Sequence, residues 1–72
     1  MVKLGLYLKR GTAIRVRGSD AITLSYGLEM ISLTPGQEGI LAEPYLGTHE
    51  VVLVDIAGYQ GVMIPVRCVE RV

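Results

Sequence analysis

The sequence predicts an all-β domain, a small barrel or sandwich of short antiparallel strands, and three observations lead there. Apolar residues recur with period two almost throughout, the spacing that a half-buried strand requires. The apolar runs are short and are separated by turn-forming clusters, "KRG", "RGSD", "TPGQ", "YLGT" and "IAGYQG". Helical spacing is almost absent: the one candidate, "GLEMISL", places Leu28, Ile31 and Leu33 poorly on either period and is read as a strand.

Each run supports the assignment in turn. In "VKLGLYLK", Val2, Leu4, Leu6 and Leu8 share one face, opposite Lys3, Gly5, Tyr7 and Lys9. "TAIRVRG" sets Ile14 and Val16 against Ala13, Arg15 and Arg17, and "AITLSY" sets Ile22, Leu24 and Tyr26 against Thr23 and Ser25. "TPGQ" is the most specific turn signal, since Pro35 presets one φ and Gly36 supplies the positive φ that a type II turn needs next. "VVLVDI" is apolar on both faces until Asp55, which marks it as a central strand. The whole of 1–72 reads as one domain, with no linker, repeat or low-complexity segment.

Composition narrows the functional classes. A chain of 72 residues buries only about 60% of the surface its unfolded form exposes, so its core is marginal. Cys68 is the sole cysteine, and no cysteine and histidine cluster can hold a structural metal, so neither staple is expected. Half of the residues are hydrophobic, more than so small an interior needs, and a homo-oligomer or a docked protein partner is expected to cover the excess. No run approaches the roughly 18 apolar residues of a membrane span, and the charges at Lys3, Lys9 and Arg10 interrupt the apolar core of any signal peptide. A cytoplasmic location without membrane association is the expectation.

The formal net charge is zero, but residues 1–17 hold Lys3, Lys9, Arg10, Arg15 and Arg17 with no acid. Cross-strand pairing with the acids of the remainder is the favoured explanation. The functional alternative is a basic strand face that follows a nucleic-acid backbone.

The segment "IPVRCVERV" resembles the closing segment of SH3 domains, in which Ile-Pro opens one turn of 3-10 helix and a Val-Glu begins the last strand. "YLKRGTAIRV" is similar to the early SH3 segment, where a basic pair and a Gly precede an apolar-polar-apolar strand. The resemblance implies an SH3-like barrel of five to six short antiparallel strands, with a 3-10 turn near Pro65 made by Val66-Arg67-Cys68 and the last strand by Val69-Glu70-Arg71-Val72. Proline-rich peptide binding is not implied, because the chain has no Trp and Cys68 stands where the family's closing-turn Tyr would be. "TPGQEGIL" followed by "VVLVDIAG" resembles KOW-type motifs of ribosome and transcription-factor barrels. "LTPG", "YLG" and "AGY" resemble the SH3-like accessory proteins of ferrous-iron transport, which are thought to act through protein contacts. The plasmid-type dihydrofolate reductases, tetramers of one such barrel each, end in a similar pattern; here Val62-Met63-Ile64 precedes Pro65, and the Gln and Tyr of their pore are missing.

No catalytic set emerges. His49, the only histidine, has no evident nucleophile or carboxylate partner, and Arg67 alone does not make an electropositive site for Cys68. Glu38, Glu43 and Glu50 lack metal-ligand spacing, and "GQEG" and "GYQG" lack the Lys and helix of a phosphate loop. The expectation is a non-catalytic binding or assembly domain, with no metal or cofactor. Its protein-binding candidates are Tyr45 and Tyr59, placed in loops, and the strand residues Val62, Met63 and Ile64. The alternative is a KOW-like nucleic-acid binder using Lys9, Arg10, Arg15 and Arg17, and the third option is an oligomeric reductase with a pore around Val62-Met63-Ile64.

Overall fold

The structure, a computed structural model, describes residues 7–72. Seven strands and one 3-10 turn follow one another among the described residues: β1 (Ala13–Val16), β2 (Ile22–Tyr26), β3 (Glu29–Leu33), β4 (Glu38–Leu41), β5 (Val51–Ile56), β6 (Tyr59–Pro65), the 3-10 turn (Val66–Cys68) and β7 (Val69–Arg71). Five strands form an antiparallel sheet in the order β6-β5-β4-β1-β7, and β2 with β3 forms a separate hairpin. The all-β class and the 3-10 turn after Pro65 stand as expected.

The count exceeds the expected five to six because "EGIL", with a glycine among its four residues, shows no apolar period, yet it pairs on both sides as β4. Among the described residues no continuous ladder closes a barrel: β6 and β7 are the two edges of the five-stranded sheet. Of the strand expected in "VKLGLYLK", Val2, Leu4 and Leu6 lie outside the described residues. Leu8 forms an isolated antiparallel bridge with Tyr45.

Period two places the core. Ile14 and Val16 of β1, Ile31 and Leu33 of β3, Val52, Val54 and Ile56 of β5, and Val62 and Ile64 of β6 are all buried. Ile22, Leu24 and Tyr26 of β2 pack on them part-buried, so the hairpin lies over the same core as the larger sheet. Each aliphatic side chain so enclosed contributes about 1.5–3 kcal/mol relative to exposure. No polar or charged side chain is buried with them among the described residues.

The turns follow their local chemistry. Thr34-Pro35-Gly36-Gln37 closes with the Gln37 N–H donating to the Thr34 carbonyl at 3.2 Å, and Gly36 has φ +87°, the positive value that a type II turn requires. Strands β5 and β6 are joined by Ala57-Gly58, both with positive φ (57° and 84°), which is the type I′ geometry that matches strand twist. Gly39 of β4 is a different case, because a Cβ there would lie 2.6 Å from the Asp55 carbonyl oxygen and 2.8 Å from Cβ of Ile56. The missing side chain lets β5 cross β4 closely.

Candidate functional site

The residues with most to offer a partner lie where β5 and β6 run side by side. Alternation sends Val52 and Val54 of β5 into the core and leaves Val51 and Leu53 on the outer face. On β6 the same alternation buries Val62 and Ile64 and turns Met63 outward, where it is 57% exposed. Leu53 and Met63 stand directly opposite each other in register, so their side chains meet on the outer face.

A wall rises beside this pair. The connection from β4 to β5 carries Glu43, Pro44, Tyr45, Leu46 and His49, and with Val51, Leu53 and Met63 it bounds a groove of about 400 Å³. Two contacts position the wall. The backbones of Leu8 and Tyr45 exchange N–H to carbonyl hydrogen bonds, both of 2.9 Å, and the Tyr45 hydroxyl donates to the His49 carbonyl at 3.4 Å. Tyr45 is thereby buried at the base, while Leu46 projects outward at 57% exposure. The lining is mostly apolar, with Glu43 and His49 as its ionisable members, so the groove suits aliphatic or aromatic side chains.

The protein-binding candidates read from sequence separate accordingly. Val62, Ile64 and Tyr45 are core residues, and Tyr45 is held in a backbone bridge rather than a loop. Tyr59 opens β6 instead of lying in a loop, because the turn before it is only two residues long; it packs edge-on against Tyr26 with ring centroids 5.1 Å apart. Met63 alone of the five is exposed in the groove lining. Leu46, Val51 and Leu53 were missed, although "VVLVDI", apolar on both faces, carried the signal for the last two.

The basic candidates are not one free cluster. Arg15 Nε donates to Glu70 Oε2 at 2.6 Å, with both side chains a little under half exposed, and Glu38 stands on its other flank in the β1–β4 register. This is the cross-strand pairing that the charge distribution favoured. Arg17 lies just past the end of β1, with its backbone N–H donating to the Cys68 carbonyl. Lys9 and Arg10 are exposed in the preceding turn, which Thr12 closes by donating from both its N–H and its hydroxyl to the Lys9 carbonyl. Cys68 is part-exposed at the end of the 3-10 turn and packs against the core. No group of three or more His, Cys, Asp or Glu side chains is placed to hold a metal ion among the described residues. Nor is any helix of the described residues long and apolar enough to cross a membrane.

Comparison with protein-family models, with curated proteins and with solved structures finds no match for this chain.

Proposed function

We propose that the chain is an SH3-like binding or assembly domain that works without catalysis, through protein-protein contacts on the outer face of β5 and β6. The SH3-like assignment is supported by the β4-β5-β6 meander and by β7, which returns after one 3-10 turn to pair with β1. One observation carries the docking surface. Leu46, Val51, Leu53 and Met63 leave apolar side chains uncovered around a single groove, in a chain whose interior is already filled from the opposite faces of the same strands. The partner is a second copy of the chain or an accessory-type protein presenting apolar side chains.

Sedimentation velocity and native mass of the purified protein, with and without its co-purifying partners, test the proposal. The expected result is a mass above one chain, falling at least tenfold in association constant when Leu46 and Val51 are both changed to Glu. A clean monomer at micromolar concentration with no partner, or an assembly indifferent to those two charges, would overturn it. The nucleic-acid alternative draws less support, because Arg15 is already engaged by Glu70.

A further inference from the structure

The edge of the large sheet formed by β6 is blunted at nearly every residue, and the hydroxyl of Tyr26 supplies one of the blunting contacts. The Val66 N–H donates to the Glu50 carbonyl at 2.9 Å, and the register pairs Val52 with Ile64 and Val54 with Val62. Period two therefore turns the amide groups of Val62 and Ile64 toward β5 and those of Met63 and Pro65 outward. A bulge between Val54 and Ile56 shifts the register, so that the amide groups of Gln60 face outward too.

The outward donors are mostly engaged or missing among the described residues. Pro65 has no N–H to offer. Gly61, in the bulge, donates its N–H back to Asp55 Oδ1 of β5 at 2.9 Å and so offers no donor to a new strand. At Gln60 the Tyr26 oxygen accepts from the backbone N–H at 3.2 Å, and the same hydroxyl donates to the carbonyl at 2.7 Å, so a single phenol satisfies both groups. Its ring is steadied by the edge-on packing of Tyr59. Among the described residues, Met63 alone keeps both its N–H and its carbonyl directed outward without a partner, in a stretch, Tyr59–Pro65, that contains no charged side chain to repel a like strand.

We propose that Tyr26 is a guard on this edge, and that it prevents a second copy of the chain from adding its own β6 there. An uncharged strand paired with its own copy brings no like charges together, and charge is the usual protection of an open edge. With the hydroxyl gone, the outward groups of Gln60 lose their partner and join those of Met63 as open positions on this edge. The guard thereby directs association to side chains in the groove and away from strand addition, which would propagate between copies.

The test is Tyr26→Phe, which keeps the ring and removes only the hydroxyl, studied in the full chain by sedimentation velocity and amide exchange. The variant is expected to self-associate at least tenfold more tightly than the parent, with the Met63 amide becoming protected in the assembled form. Adding Met63→Pro, which removes an outward N–H and no bond to β5, is expected to abolish that gain. Adding Leu46→Glu, which acts on the groove, is expected to leave it intact, and so separates this guard from groove docking. An unchanged association constant in Tyr26→Phe, a gain that survives Met63→Pro, or an assembled form with the Met63 amide still exchanging freely would each overturn the proposal.

Discussion

Ala57 and Gly39 are single residues at which the backbone demands something of the side chain. Ala57 has φ +57°, a left-handed conformation disfavoured for an L-residue with a Cβ, and it sits in the first central position of a type I′ turn, where Asn is preferred. Ala57→Asn should therefore raise stability by about 1 kcal/mol, read as a higher urea midpoint with an unchanged slope; a lowered midpoint would contradict the strain. Gly39→Ala should do the opposite. Its Cβ would press on the backbone of Asp55, which cannot swing away as a side-chain tip could, and a loss of about 1–3 kcal/mol is expected on overpacking grounds. The two positions differ in how far the sequence exposes them. "AGY" between apolar runs announces a turn, but the crowding at Gly39 comes from a neighbouring strand, and a local pattern carries no trace of it.

At the scale of elements, the β2–β3 hairpin decides how much of the molecule belongs to the core. Leu33 on β3 is fully buried, whereas Leu28 at the hairpin tip is fully exposed. Leu33→Ala should cost about 2–5 kcal/mol and Leu28→Ala less than about 0.5 kcal/mol, compared by denaturant unfolding. Equal small effects would mean that the hairpin is dispensable to the fold. Strands with clean alternation were legible in advance, since β1 and β2 fall where Ile14 and Val16, and Ile22 and Leu24, place them, and β5 was marked by its run of residues apolar on both faces. β4 was not, because four residues containing a glycine show no period. The candidate site was legible in half measure. Period two says that Met63 opposes its neighbours across the strand, yet which face is solvent depends on what packs against it. Thus Val62 and Ile64 were grouped with a residue that points the other way.

For the whole molecule, the proposal of an assembling domain has a thermodynamic signature. If association favours only the folded form, the Tm should rise with protein concentration, by several degrees over a hundredfold range, because about 2.7 kcal/mol of apparent stability accompanies a ligand at a hundred times its Kd. Scanning calorimetry across that range would show it, and a Tm independent of concentration would count against assembly of like chains. The excess of apolar residues was visible from composition alone. Where the excess lies required the β4–β5 connection to be placed beside Leu53 and Met63, a long-range juxtaposition that no run of sequence encodes.

The pairing of β1 with β7 also governs how the chain finds its shape. Arg15 and Glu70 are 55 positions apart, whereas β5 and β6 meet across a two-residue turn. Joining the distant pair closes a long loop, at an entropy cost that grows with loop length, so this pairing is expected to form last. The hairpins are expected to form early and β7 to dock after the rate-limiting barrier, an order that kinetics of single variants tests. Val69→Ala, in the buried heart of β7, should accordingly accelerate unfolding while leaving the refolding limb of the chevron nearly unmoved, and a slowed refolding limb would place that strand in the nucleus instead.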